Sequence, residues 1–390
     1  MPPSPPRAQS KQEIIERVHA LAPRLCKRAG AAEKARQLPE ESVADLLEAG
    51  IARILTPPRF GGYGLGLDTW LDVTLETSKA DASHGWCASL IIHHPHIIGM
   101  FSEEAQQAIW ADGPDVAIAA SVQPKAHVTR VPGGYRISGK DSAFASGVGH
   151  SSWVFIGGMV NDGAAPEWTL FLIPPGQYTV RDTWFTAGMQ GTGSNTIVTD
   201  NVFVPETRAL SLPLLRDGKG PGGLVNENPI FRLPFFSYSP LTFVAPMLGA
   251  DQGAYEFFRE WTKTRMAVGG VPVAEKTSVQ VRMARAAADL DAAELLLRRA
   301  VQLPPQGVSQ QLLARTIRDY SRASELTVGA IDALMSLSGT AGFATSNPIQ
   351  RAWRDIHFAS MHIGLNTENN FAHFGRMEFG MPSDPRQPFF

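Results

Sequence analysis

Two blocks of helical periodicity, separated by one long block of strand-like alternation, restrict this chain more than any other feature of its sequence. From about Lys11 to Phe101, Ile14, Ile15, Val18, Leu21 and Leu25 recur at three- and four-residue spacing, and Val43, Leu46 and Leu47 repeat the pattern before Gly50. That spacing lines one face of a helix, and a glycine just beyond it stops the helix. From about Val116 to Arg208 the period shortens. Gly133-Gly134 stands between Val128-Thr129-Arg130-Val131 and Tyr135-Arg136-Ile137-Ser138, which predicts a hairpin. Further short strands are expected at 153–158, 168–173 and 178–181. A Gly-, Pro- and Asn-rich connector at 217–229 leads back to helices expected at 278–301, 312–337 and 351–377. Helix, sheet and helix in that order predict an α+β protein of three units, divided at 1–114, 115–215 and 216–390. No internal repeat is visible.

Composition narrows the function classes. With 390 residues the chain can bury a large core, and a net charge of −2 gives no electrostatic reason to expect nucleic acid or an anionic membrane as partner. The longest apolar runs, such as 51–55 and 153–158, are too short to span a bilayer. Met1-Pro2-Pro3-Ser4-Pro5-Pro6-Arg7 has no apolar segment behind it, so no secretory leader is expected. The two cysteines, Cys26 and Cys87, exclude a disulfide framework and point to the cytoplasm.

One loop stands out chemically. Trp184-Phe185-Thr186-Ala187-Gly188-Met189-Gln190-Gly191-Thr192-Gly193-Ser194 gathers small residues and hydroxyls ahead of a predicted strand at 196–204. Such a turn lets backbone approach a flat or phosphorylated ligand. Its Gly-x-Gly, and the one at Gly147-Val148-Gly149, run into strands instead of helices, so neither is a dinucleotide fingerprint. His93, His94 and His96 suggest a metal, but Pro95 interrupts them and no cysteine or carboxylate has ligand spacing. No metal site is expected. Cys87, beside Trp86, reads as a buried hydrophobe.

Five patches together resemble the acyl-CoA dehydrogenase superfamily. They are Pro58-Arg59-Phe60-Gly61-Gly62, Phe101-Ser102-Glu103-Glu104-Ala105-Gln106, Trp184 through Ser194, Arg265 ahead of Val279-Gln280, and Gly339-Thr340-Ala341-Gly342-Phe343 followed by Arg351-Ala352-Trp353-Arg354-Asp355. The resemblance implies an N-terminal helical domain, a small central β-barrel and a C-terminal four-helix bundle, assembled as a homotetramer with flavin between domains. Dehydrogenases of this family need a carboxylate base. The corresponding positions here, His362-Ile363-Gly364-Leu365 and Ser239-Pro240-Leu241, hold none.

Phe144-Ala145-Ser146-Gly147-Val148-Gly149-His150-Ser151-Ser152-Trp153 and Trp353-Arg354-Asp355-Ile356-His357, with His362, are similar instead to the oxygenase components of two-component flavin monooxygenases. That branch implies reduced flavin from a separate NAD(P)H:flavin reductase, O2 as co-substrate, a C4a-hydroperoxyflavin, and hydroxylation of a small aromatic such as a phenol or indole. FMN is favoured over FAD. The expected catalytic residues are His362, as base or hydrogen-bond partner, with Ser146 and His94. The expected flavin contacts are Trp153, Trp184, Gly191, Thr192, Gly193, Ser194 and Arg265. His357 is an alternative to His362, His373 is expected at the surface, and Trp153 reads equally as core or as a flavin wall. The competing readings are a dehydrogenase-like flavoenzyme with a displaced base and a silent scaffold.

Overall fold

The computed structural model describes residues 10–163 and 165–384; the proline-rich start at 1–7 lies outside them. Five helices come first: α1 (Lys11–Ala35), α2 (Glu40–Glu48), α3 (Leu67–Ala80), α4 (Ala82–Ile98) and α5 (Glu103–Ile109). Ser10 caps α1 by accepting the Glu13 N–H at 3.2 Å, and Gly50, at φ 86°, turns the chain after α2. Nearly every residue of α4 is buried, His93, His94 and His96 included. A helix apolar on all sides belongs in the middle of a protein, and α4 lies there.

The strands follow: β1 (Ile118–Val131), β2 (Gly134–Ala145), β3 (Trp153–Val160), β4 (Glu167–Ile173), β5 (Thr179–Arg181), β6 (Asn195–Pro205) and β7 (Ala209–Ser211). The predicted hairpin is present, with Val131 opposite Gly134. All seven form one sheet in the order β5-β6-β2-β1-β3-β4-β7, antiparallel except where β1 runs beside β3 with Ile118 opposite Trp153. One face is a compact core of Ile137, Val154, Ile156, Phe171, Ile197 and Val204.

After the short α6 (Leu212–Arg216) come α7 (Leu241–Lys263), α8 (Thr277–Ala300), α9 (Gln310–Ser338), α10 (Pro348–Ser360) and α11 (Thr367–Glu378). By length and composition α9 could cross a membrane. Here its buried side, including Tyr320, Ile331 and Leu334, belongs to the continuous core that joins the first helices to the last. The expected helix at 351–377 is broken at Met361 and His362. The His362 ring caps the turn that follows, and Asn366 caps α11 by accepting the Asn369 N–H at 2.9 Å. His373, expected at the surface, is 3% exposed on α11. Its position corrects that expectation, because α11 packs its His373 side inward against α9.

Candidate active site

The loop that precedes β6 shows Phe185 and Ala187 to solvent but turns most of its glycine run inward. Trp184, Met189 and the whole run from Gly191 to Asn195 are buried. A Cβ on Gly188 would lie 2.3 Å from the Arg354 carbonyl oxygen, and one on Gly191 would lie 2.9 Å from Ser83. The glycines are there because α10 and α4 press directly on the loop backbone. Gly188→Ala is therefore expected to push the loop off α10 and to cost about 1–3 kcal/mol in a denaturant titration; an unchanged midpoint would refute the close approach. Trp184, Gly191, Thr192 and Gly193, expected to contact flavin, lie in this close-packed region. They build a joint between sheet and helices.

What the joint delivers is a directed chain of hydroxyls. The Thr192 hydroxyl donates to the Met189 carbonyl at 2.8 Å and lies 2.6 Å from Ser194 Oγ, which lies 2.7 Å from Ser146 Oγ. A carbonyl only accepts, so Ser194 donates to Thr192 and Ser146 donates to Ser194. The Trp86 Nε1–H donates to Ser146 Oγ at 3.1 Å. Ser146 thus has its own proton engaged and one lone pair left. The enclosed cavity behind it, lined by Cys87, Leu90, Ile91, Gly147 and His150, measures about 20 Å³, room for a single water. Cys87 is no nucleophile, since burial and then Asp81 push its thiol up to about 12.

His362 comes to the same place from the end of α10. Its ring stacks on Phe243 with centroids 3.5 Å apart and meets the Trp86 ring edge-on at 6.3 Å. Trp86 and Phe243 also touch, at 5.3 Å. The Gly364 N–H donates to His362 Nδ1 at 3.1 Å, so the neutral ring carries its proton on Nε2. Burial lowers its pKa to about 4. Near neutral pH burial keeps the His362 ring uncharged, with an N–H to donate at Nε2. His357 lies elsewhere, donating to Asp332 Oδ1 at 2.9 Å if protonated on Nε2, beside Trp353.

The remaining candidates are spread more widely. His94 is buried against the Ile118 carbonyl and the Phe155 ring, and burial lowers its pKa to about 4 despite the bond to that carbonyl. His93 lies between Trp70 and Phe235, and His96 donates to the Ile230 carbonyl at 2.8 Å, so the three rings serve three different neighbours. His150 donates to the Leu38 carbonyl at 2.7 Å. Trp153 is half-buried under the Arg208 guanidinium, 5.3 Å away. Arg265 donates to the Leu337 and Ser338 carbonyls at 3.1 and 2.9 Å and lies over Trp261, capping α9 within its own chain.

Two residues passed over in the sequence take part. Trp86 touches both Ser146 and His362. Asp355, noted only as half of an Arg-Asp pair, is 3% exposed and accepts the Met189 N–H at 2.6 Å. Burial, then Asp81, raise its pKa to about 7 against the opposing pull of the Met189 N–H, Arg354 and Arg351. Held in that way, it is not a free base for carbon acid chemistry.

Aromatic walls, a hydroxyl with a spare lone pair and an uncharged N–H donor converge where sheet and two helical regions meet. Comparison with known proteins shows the class. The family model "Acyl-CoA dehydrogenase, N-terminal domain" matches residues 8–113 and "Acyl-CoA dehydrogenase, C-terminal domain" matches 241–367. The chain is 34% identical, over 94% of its length and 98% of the relative's, to the oxygenase subunit HsaA of a flavin-dependent monooxygenase from Rhodococcus jostii. It is 33% identical, over 97% of each chain, to the oxygenase component of an FADH2-dependent resorcinol hydroxylase from a Rhizobium species. The crystal structure of the HsaA monooxygenase from M. tuberculosis matches with a TM-score of 0.91 at 32% identity, covering 96% of this chain and 99% of that one. The protein belongs to the acyl-CoA dehydrogenase superfamily, within its branch of flavin-dependent monooxygenase oxygenase components.

Proposed function

We propose that this chain takes reduced flavin from a separate NAD(P)H:flavin reductase and, with O2, hydroxylates a phenol or an indole-like heteroaromatic in the cytoplasm. One observation carries the reading: Ser146 from the sheet side and His362 from the bundle side both touch the Trp86 ring. The site has an apolar rim. Met361 and Ile363, on either side of His362, are 79% and 55% exposed, and Phe144, two residues before Ser146, is 60% exposed. Phe144 also holds a left-handed backbone at φ 62°, a strained conformation of the kind that gathers at functional sites.

The residues present suit a flavin. A reduced flavin carries ring N–H groups that the oxidised ring lacks, and Ser146 offers an acceptor. The FADH2-dependent relative supports FAD in place of the FMN favoured by sequence. Bound reduced flavin, with O2, supplies the electrophilic oxygen. His362 Nε2–H donates to the oxygen of a phenol and holds the electron-rich form of the ring; Phe243 fixes the imidazole plane; Trp86 and the apolar rim exclude water. We read the sheet and α7–α10 as the family's barrel and bundle, in a homotetramer that turns Arg265 toward a neighbouring copy's flavin.

The test is product formation from a panel of phenols and indole with a flavin reductase, NADH and O2. Turnover of an acyl-CoA with a dye acceptor in the absence of O2 would favour the dehydrogenase instead. Ser146→Ala is expected to weaken binding of reduced flavin about tenfold, the worth of one hydrogen bond, and to leave oxidised flavin unchanged. Anaerobic titration reads both affinities, and equal losses for the two states count against the acceptor role.

A further inference from the structure

The walls of the small cavity behind Ser146 are unsuited to water. Leu38, Val43, Cys87, Leu90, Ile91 and Ile118 line it with alkyl and thiol groups, brought from the link between α1 and α2, from α2, from α4 and from the start of β1. The polar side chains beside them have already spent their donors. His150 Nε2–H donates to the Leu38 carbonyl at 2.7 Å, the Ser151 hydroxyl to the Gly147 carbonyl at 3.0 Å, and the Cys87 thiol to the Thr192 carbonyl at 3.8 Å. Ser146 gives its own proton to Ser194. What these groups have left are lone pairs, so a water would find no side-chain donor for its oxygen. A buried water makes about three hydrogen bonds, whereas a cavity with apolar walls stays dry and takes up xenon or small apolar molecules. At about 20 Å³ the space admits a diatomic molecule and is too small for a phenol or indole ring.

The geometry points to this cavity as a binding site for the co-substrate O2, an inference that rests on the reading of Ser146 as a flavin contact. O2 has no hydrogen bonds to lose on leaving water, so its transfer into an apolar space is favourable. Ser146 is the wall that the cavity shares with the rest of the site: its Oγ is held by Ser194 and by the Trp86 N–H, and Trp86 in turn meets His362. O2 held behind Ser146 is one side chain away from the ring that Ser146 contacts, and it takes no space from the aromatic substrate. No bond forms or breaks in the cavity. Its role is to raise the concentration of the gas beside the ring.

Xenon reads the site in the absence of flavin. Crystals of the flavin-free protein under xenon pressure are expected to hold one atom against Cys87 and Ile91. An empty cavity, or a water there that xenon does not displace, overturns the inference whatever the enzyme binds. Two variants fill the space from different walls, Val43→Ile from α2 and Ala117→Val from the residue that precedes β1. Both are expected to exclude xenon, and the second keeps the test open if the first packs badly. Neither side chain belongs to the hydroxyl chain, so anaerobic titration should give wild-type affinity for reduced FAD. On mixing with O2, reoxidation of the bound reduced FAD should be about tenfold slower than in wild type, a barrier higher by about 1.4 kcal/mol. Variants that exclude xenon and still reoxidise at the wild-type rate overturn the role in O2 supply. A wild-type protein that binds no reduced FAD counts instead against the proposed function and leaves the xenon result standing.

Discussion

His362→Ala is expected to lower hydroxylation about 10²–10³-fold, the usual effect of removing one preorganised donor from a developing charge. Oxygen consumption should continue, with hydrogen peroxide released in place of product, because activating oxygen does not need the donor while transferring it does. His362→Gln distinguishes donor from base. Its amide can offer an N–H but has no useful basicity, so it should recover part of the coupling that alanine loses. A glutamine variant as uncoupled as alanine would restore the base.

The pH profile gives a second, independent check. Burial holds His362 at about 4, and its Nδ1 already accepts the Gly364 N–H. From about pH 5.5 upward the ring is neutral, so the ratio of product to peroxide should not follow His362 ionisation. A coupling curve with a midpoint near 6.5, the ordinary histidine value, that disappears in His362→Gln would show the ring titrating in the working enzyme.

Much of the fold was legible because periodicity is a local property. The α1 stripe, the hairpin at Gly133 and the strands at 153–158 and 168–173 all lie where the spacing predicts them. The break at His362 was not legible: the apolar pattern continues across it, and what interrupts the helix is a histidine ring accepting a backbone N–H, which no propensity encodes. Ser146 and His362 were found through motif resemblance, and the structure brings them to one indole. Trp86 was missed for a physical reason. In sequence it is one more apolar residue of a buried helix, and its link to Ser146 is a single N–H aimed across to the loop after β2. The glycine loop was legible only as a place of close approach. Its small residues suggested a ligand cradle, and two of them, Gly188 and Gly191, also admit α10 and α4. Small residues signal close approach without naming what approaches.

The buried titratable groups make stability respond to pH in two opposing directions. His94, His96 and His362 are held at about 4 by burial, with carbonyl bonds to His94 and His96 opposing the shift, and His93 lies well below its usual value through burial and then its histidine neighbours. Native histidines that resist protonation bind fewer protons than the unfolded chain between about pH 6.5 and 4, so they subtract stability as pH falls through that window. Asp251 acts the other way. It is fully buried on α7, and burial raises its pKa well above the carboxylate range although the Ile331 backbone favours the charged form. The native chain keeps this proton above pH 3.8 while the unfolded chain releases it, so Asp251 subtracts stability as pH rises. Asp251→Asn removes the titration but keeps the shape. The variant should be more stable than wild type at pH 8, because its unfolded chain no longer gains by releasing a proton at this position. The advantage should shrink toward pH 4, leaving the histidines to give the variant the steeper acid loss. Urea titrations of both proteins at pH 8, 6 and 4.5 read the difference directly, and a gap that stays constant across the three would show that Asp251 has the same charge in the folded and unfolded chains.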